Sequence, residues 1–139
     1  FLIDRSSIRR VFENIIENAI VYNKPGGDVY IKVDARGGFI EIEISDTGMG
    51  ISKENIARVG EKFFRSPAAK RVAAESTGLG VFISKHIIEL YGGKLVIQSE
   101  KGTGTSVLIK LPVTLTEPKR MPPRSHQLNQ RENFMEPAQ

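Results

Sequence analysis

Asn14 and Asn18 lie four residues apart in a segment with helical apolar spacing, so they differ by only about 40° around the axis and project from one face. Their neutral amide oxygens suit a hard cation such as Mg²⁺ that also takes phosphate oxygens, and they equally suit bonding to a neighbouring loop. Downstream, Asp46-Thr47-Gly48-Met49-Gly50 follows an alternating apolar run. A carboxylate at a strand end can accept from an exocyclic amine such as that of adenine, and the glycines permit close approach of a ligand; the other reading is a turn closed by an Asx-type bond. Ser76-Thr77-Gly78-Leu79-Gly80-Val81 runs into a helix, where free N–H groups and the positive dipole end attract phosphate, with a bare N-cap as the alternative. It has neither P-loop spacing nor the preceding strand of a dinucleotide-binding turn. Glu61-Lys62-Phe63-Phe64-Arg65 opens a stretch, residues 60–77, without usable period. A loop of that length in a compact domain reads as a lid, whose cations can close over a polyphosphate or remain in solvent. His86 reads as a structural histidine rather than a catalyst.

These groups need a scaffold. Ile8, Val11, Phe12, Ile15, Ile16, Ala19 and Ile20 recur at helical spacing and predict an amphipathic helix over 6–22, stopped by Asn23-Lys24-Pro25-Gly26-Gly27. Val29, Ile31 and Val33, then Ile40, Ile42 and Ile44, alternate with polar residues across Arg36-Gly37-Gly38, which predicts a hairpin with one wet face. Ser52 suits the N-cap of a short helix to about residue 59. A second long helix over 79–91 carries Leu79, Ile83, Ile87 and Leu90 on one stripe and ends at Gly92-Gly93. Strands over 95–99 and 106–111 follow. Strands that enter as adjacent pairs favour a two-layer α/β sandwich over a doubly wound parallel sheet.

Composition narrows the choice. The 139 residues include 20 Lys plus Arg, 16 Asp plus Glu, and no Cys, which fits one folded domain and excludes thiol catalysis and disulfides. The apolar runs are far shorter than the roughly 20 residues that cross a bilayer, so the expectation is a soluble, cytoplasmic piece. The net charge of +4 is spread along the chain, which argues against nucleic acid and suits a small anionic ligand. Residues 113–139 hold four of the seven prolines and few large apolar residues, and read as a flexible tail behind a folded domain of residues 1–112. The abrupt start at Phe1 suggests that other sequence precedes it in the natural protein.

The order of the motifs is more specific than any one of them. Asn-Ile-Ile-Glu-Asn-Ala, Asp-Thr-Gly-Met-Gly-Ile, Lys-Phe-Phe-Arg, Thr-Gly-Leu-Gly, Tyr-Gly-Gly and Gly-Thr-Gly-Thr follow one another as do the N, G1, F, G2 and closing boxes of the catalytic and ATP-binding domain of sensor histidine kinases. The chain resembles that domain over residues 2–112. The resemblance implies the Bergerat ATP-binding fold, a mixed sheet backed by helices with a mobile ATP lid. By position it makes Asn18 a Mg²⁺ ligand and Asn14 its catalytic partner towards metal, phosphate or water. Asp46 becomes the acceptor of the adenine amine, supported by Gly48 and Gly50, with Ile51 and Tyr22 as pocket walls and Thr105 on the far side of the base. Thr77, Gly78, Leu79, Gly80 and Val81 would face the phosphates, and Arg65 would be the catalytic lid cation. Three positions depart from the pattern: Val21 replaces a common basic residue, Ser76 a glycine, and Val81 a leucine.

The resemblance further implies donation of the γ-phosphate of Mg-ATP to a histidine on a separate dimerisation and phosphoacceptor domain, a downstream response regulator, and a homodimeric full-length protein, with the isolated domain monomeric. The whole protein could then be a membrane-bound receptor of which this is a cytoplasmic part. An anti-sigma-factor type serine kinase and a nucleotide-sensing module without transfer are the alternatives.

Overall fold

The computed structural model describes residues 3–113. The expected tail, from residue 114 onward, lies outside the described residues, as do Phe1 and Leu2. Among these residues four helices and four strands follow in the order α1 (Arg5–Val21), β1 (Val29–Arg36), β2 (Phe39–Asp46), α2 (Lys53–Ile56), α3 (Pro67–Val72), α4 (Gly80–Leu90), β3 (Lys94–Glu100) and β4 (Gly104–Pro112).

The apolar spacing of α1 places Val11, Ile15 and Ala19 on one buried line. Its start is set by Asp4, which the apolar pattern did not single out. The Asp4 carboxylate accepts from the Ser6 and Ser7 backbone N–H groups at 3.3 and 3.0 Å and from both hydroxyls at 2.6 Å. These bonds, the Ser6 hydroxyl's first, lower its pKa to about 2. The Asp4 backbone N–H donates to the Tyr91 hydroxyl at 3.0 Å, so the start of α1 is tied to the end of α4.

The hairpin falls where expected, but the single wet face holds only for β2: in the edge strand β1 Ile31 and Val33 are exposed along with Tyr30, because the helices pack over the inner strands. Gly37 and Gly38, with φ of 58° and 79°, form a two-residue connection between paired Arg36 and Phe39, the left-handed geometry that matches strand twist. The strand order is β1-β2-β4-β3, and every pairing is antiparallel. The mixed sheet implied by resemblance is therefore not present among the described residues. Two hairpins account for this: β2 and β3 run the same way, but α4 carries the chain across so that β4 is inserted between them. The two layers are as the paired strands predicted. Ile42 and Ile44 of β2, Val107, Ile109 and Leu111 of β4, and Leu95 of β3 form the floor on which α1 and α4 pack.

Three local expectations change. The helix after Ser52 is one turn long, and the Ser52 side chain makes no capping bond. The aperiodic lid contains α3, begun by Ser66, whose hydroxyl accepts from Ala69 N–H at 3.1 Å, and by Pro67 in the first turn. In α4 the fully buried residues are Ser84 and Ile88, while Leu90 is 72% exposed. Of the apolar stripe through Leu79, Ile83, Ile87 and Leu90, Ile87 packs against the core and Leu79 and Ile83 line a cavity, while the most buried face is shifted to Ser84 and Ile88 because α4 packs against α1 as well as the sheet. A small residue at 84 lets the helices meet, and Leu90 falls outside both contacts.

That correction is measurable. Ile88→Ala should lower the unfolding free energy by about 2–5 kcal/mol, whereas Leu90→Ala should change it by no more than about 0.5 kcal/mol. Urea unfolding of both variants followed by far-UV circular dichroism checks the contrast.

Candidate functional site

At one end of the sheet a cavity of about 670 Å³ opens between α1, α4, the lid and the loop after β2. Asn14, Asn18 and Tyr22 line it from α1, together with Val21. Asp46, Gly50 and Ile51 come from β2 and its loop, Arg65 from the root of the lid, Thr77 to Val81 from the start of α4, and Thr105 from β4. Residues spread over ninety positions thus share one hollow. Gly48 alone of the expected set is not in its lining. It is buried behind the wall, where a Cβ would meet the Tyr22 carbonyl, Asn23 and the Asp46 carboxylate. Gly50, at φ 64°, likewise leaves room for the Glu100 backbone. Both glycines thus serve close approach within the chain itself.

Register builds the polar floor. Asp46 pairs with Thr105, and Thr105 with Ser99, so the three lie in a row across β2, β4 and β3. Asp46 Oδ1 accepts from Gly48 N–H at 2.8 Å and Thr105 N–H at 3.3 Å. Its Oδ2 has no donor among the described residues. Burial raises the Asp46 pKa, against the pull of the two N–H bonds. Apolar Ile44, Met49, Ile51, Ile97 and Val107 surround the carboxylate's end of the cavity. A half-buried carboxylate with one open oxygen in such walls can accept a further donor. Ser99, absent from the sequence expectations, fixes the rim: its hydroxyl accepts from Ile51 N–H at 2.8 Å and lies 2.9 Å from the Gly104 carbonyl and 2.8 Å from the Thr105 hydroxyl. No sequence signal marks it, because its role arises from strand register.

On the helix side, Asn14 Nδ2 donates to the Gly80 carbonyl and the Ser84 hydroxyl, both at 3.3 Å. Asn14 thus fastens α1 to the first turn of α4, and its oxygen makes no bond to a described residue. The half-buried Asn18 amide has no partner among the described residues. α4 begins at Leu79 without a side-chain cap, leaving its first N–H groups turned to the cavity end where Thr77 and Gly78 approach.

Arg65 is engaged elsewhere. Its guanidinium donates to the carbonyls of Ala69 at 2.9 Å, Ala74 at 3.2 Å and Ala73, holding the carboxyl end of α3, and its buried Nε has no partner. Lys62 lies over the Phe63 ring at 5.2 Å, and neither it nor Lys24 lines the cavity. Arg10 does, and the sequence reading missed it. The signal was present: Arg10 precedes Asn14 by the same four residues that separate Asn14 from Asn18.

Residues 3–115 match the family model described as histidine kinase-, DNA gyrase B-, and HSP90-like ATPase, and the chain belongs to that family. Over 109 residues it is 40% identical to the sensor protein SrrB of Staphylococcus aureus (strain NCTC 8325 / PS 47), a match covering 78% of this chain and 19% of that protein. The match therefore spans less than a fifth of the length of that relative. The mycobacterial sensor histidine kinase MprB matches with a TM-score of 0.72 and 31% identity over 80% of this chain and 75% of its own. Full-length ShkA in complex with AMPPNP matches with a TM-score of 0.66 and 25% identity over 81% of this chain and 23% of its own. These likenesses carry the α/β fold and the sensor histidine kinase ATPase class. Among the described residues no helix is long and apolar enough to cross a membrane.

Ser99→Ala strips the Ile51 N–H of its acceptor. Loss of about 1–3 kcal/mol in unfolding free energy is expected for an orphaned, half-buried donor, measured in urea, with faster amide exchange at Ile51 as the local signature.

Proposed function

We propose that the cavity binds Mg-ATP and that the domain presents the γ-phosphate to a histidine on a separate dimerisation and phosphoacceptor domain. The observation that carries the reading is the open Asp46 Oδ2, half-buried among apolar walls at the end of the cavity opposite Arg10. That oxygen accepts the adenine amine, with Tyr22, Ile51 and Thr105 flanking the base. Gly48 and Gly50 serve indirectly by holding the loop in shape. AMPPNP in the ShkA relative is in keeping with this choice of ligand.

Asn18 would offer its free amide oxygen to Mg²⁺, and Asn14 its oxygen to metal, phosphate or water, while its nitrogen holds α4. The uncapped start of α4, from Thr77 to Val81, turns backbone N–H groups to the phosphates. Bound metal supplies charge neutralisation for the transfer. Arg65 can serve the phosphates once it releases the α3 carbonyls, which makes the lid's order dependent on nucleotide. Transfer requires the acceptor domain, and the reading extends to a homodimeric sensor protein that passes phosphate to a response regulator from the cytoplasm.

Two measurements test the site. Asp46→Asn should weaken ATP binding and erase the preference for ATP over GTP, because a carboxylate placed for an amine is left unpaired by a base lacking it. For the unmodified chain ATP affinity should fall on acidification, and should begin to fall above the ordinary aspartate pKa of 3.8, since burial raises the Asp46 value and its protonation removes the acceptor's charge. Calorimetry with equal affinities for ATP and GTP before and after substitution would falsify the adenine assignment.

Asn18→Ala should weaken Mg-ATP far more than ADP measured without metal, as an amide oxygen acts through the ion it coordinates. Equal losses for both ligands would make Asn18 a structural residue.

A further inference from the structure

We propose that Arg10 holds the terminal phosphate of the nucleotide and sets the preference of the site for a triphosphate over a diphosphate, an assignment that rests on the nucleotide reading above. The first ground is position along α1. The carboxyl end of this helix lies at the Asp46 end of the cavity, where the Tyr22 carbonyl accepts from Met49 N–H at 3.1 Å. Asn14 marks the middle, bonded to the Gly80 carbonyl at the start of α4. Arg10 is one turn further from Asp46, on the same edge, and twelve residues before Tyr22 it lies about 18 Å back along the axis. A ligand that begins at Asp46 and passes the start of α4 points its far end at Arg10.

The second ground is charge. Among the described residues the Lys and Arg side chains lining the cavity are Arg10 and Arg65, and Glu17 and Glu75 line it as well. Arg65 spends its donors on three lid carbonyls, and Val21 puts an apolar side chain on the shared edge of α1. Arg10 makes no hydrogen bond or ion pair with a described residue. Its five-donor fork can engage two phosphate oxygens at once, against the repulsion of the two glutamates. A diphosphate ends one phosphate short of it. Arg10 therefore discriminates by reach, a role that neither the start of α4 nor Asn14 can fill.

The test compares Mg-AMPPNP with Mg-ADP by calorimetry on the whole chain. Arg10→Ala should lower AMPPNP affinity about tenfold, as for loss of a charge-assisted contact, and change ADP affinity less than about twofold. Arg10→Lys, which keeps the charge without the fork, should recover part of the loss. Arg9→Ala removes the same charge from a neighbouring face of α1, about 100° around the axis, where Arg9 flanks Phe12 and Ile16 outside the cavity lining, and should alter neither ligand. The melting temperature without nucleotide should be alike for all variants. Equal losses for AMPPNP and ADP in Arg10→Ala, no loss for either, or a matching effect of Arg9→Ala would overturn the assignment while leaving the nucleotide site standing. An unmodified chain that binds neither ligand would overturn both.

Discussion

A carboxylate withdrawn from water at the end of a strand must be compensated, and most of the site is arranged around that requirement. Asp46 meets it on one oxygen only, through N–H groups of Gly48 and Thr105. The first comes from a tight turn that glycine alone allows, since a side chain at 48 would strike the end of α1. The second depends on the register of β2 against β4. A one-residue slip would turn Asp46 to the other face and remove both the donor and the apolar floor beneath it. The turn at Gly48 and the register of β2 against β4 thus both converge on this one carboxylate, whose second oxygen has no donor among the described residues.

The helices solve a different problem. α1 has to bury Val11, Ile15 and Ala19 and also present polar amides to a cavity, so its polar edge is a boundary shared with α4. Asn14 reconciles the two tasks because an amide has two ends: the nitrogen secures Gly80 and Ser84, and the oxygen remains uncommitted. A carboxylate there would face the Gly80 carbonyl without a donor, and an aliphatic side chain would leave the Ser84 hydroxyl without its amide partner. The small Ser84 lets the helices approach closely enough for this bond. At the other end the Asp4 N–H bond to the Tyr91 hydroxyl ties the start of α1 to the end of α4.

Cations are scarce where the proposed ligand carries its negative charge, and the lid shows why. Arg65 caps the carboxyl end of α3, where helix carbonyls attract positive charge, so the order of the lid and neutralisation of phosphate draw on the same guanidinium. With an apolar Val21 on the edge of α1, the other Lys or Arg lining the cavity among the described residues is Arg10, which stands on that same edge of α1 rather than on the lid.

Much was legible in the sequence where local rules are strong. The 3.6-residue period of α1, the alternation of β1 and β2, the Gly37-Gly38 turn and the order of the motif boxes each reflect short-range sterics or spacing, which is why α1 and the hairpin fall where expected. The boxes also named thirteen cavity-lining residues by position. Periodicity was less able to see which side of an element a second neighbour would cover. It put Leu90 in the core and passed over Ser84, because α4 faces a helix and a sheet at once. Its silence over residues 60–77 hid α3, a helix too short to show a period and held by Ser66, Pro67 and Arg65. Ser99 and Arg10 became visible only after folding: one is defined by its place in a row across three strands, the other by the cavity that α1 shares with α4. Sequence determined the elements and the residue types, since these depend on neighbours a few positions away. Tertiary structure decided which of those residues meet, since contacts between Asp46, Thr105 and Ser99, or between Asn14 and Gly80, depend on register and helix crossing that no local pattern contains.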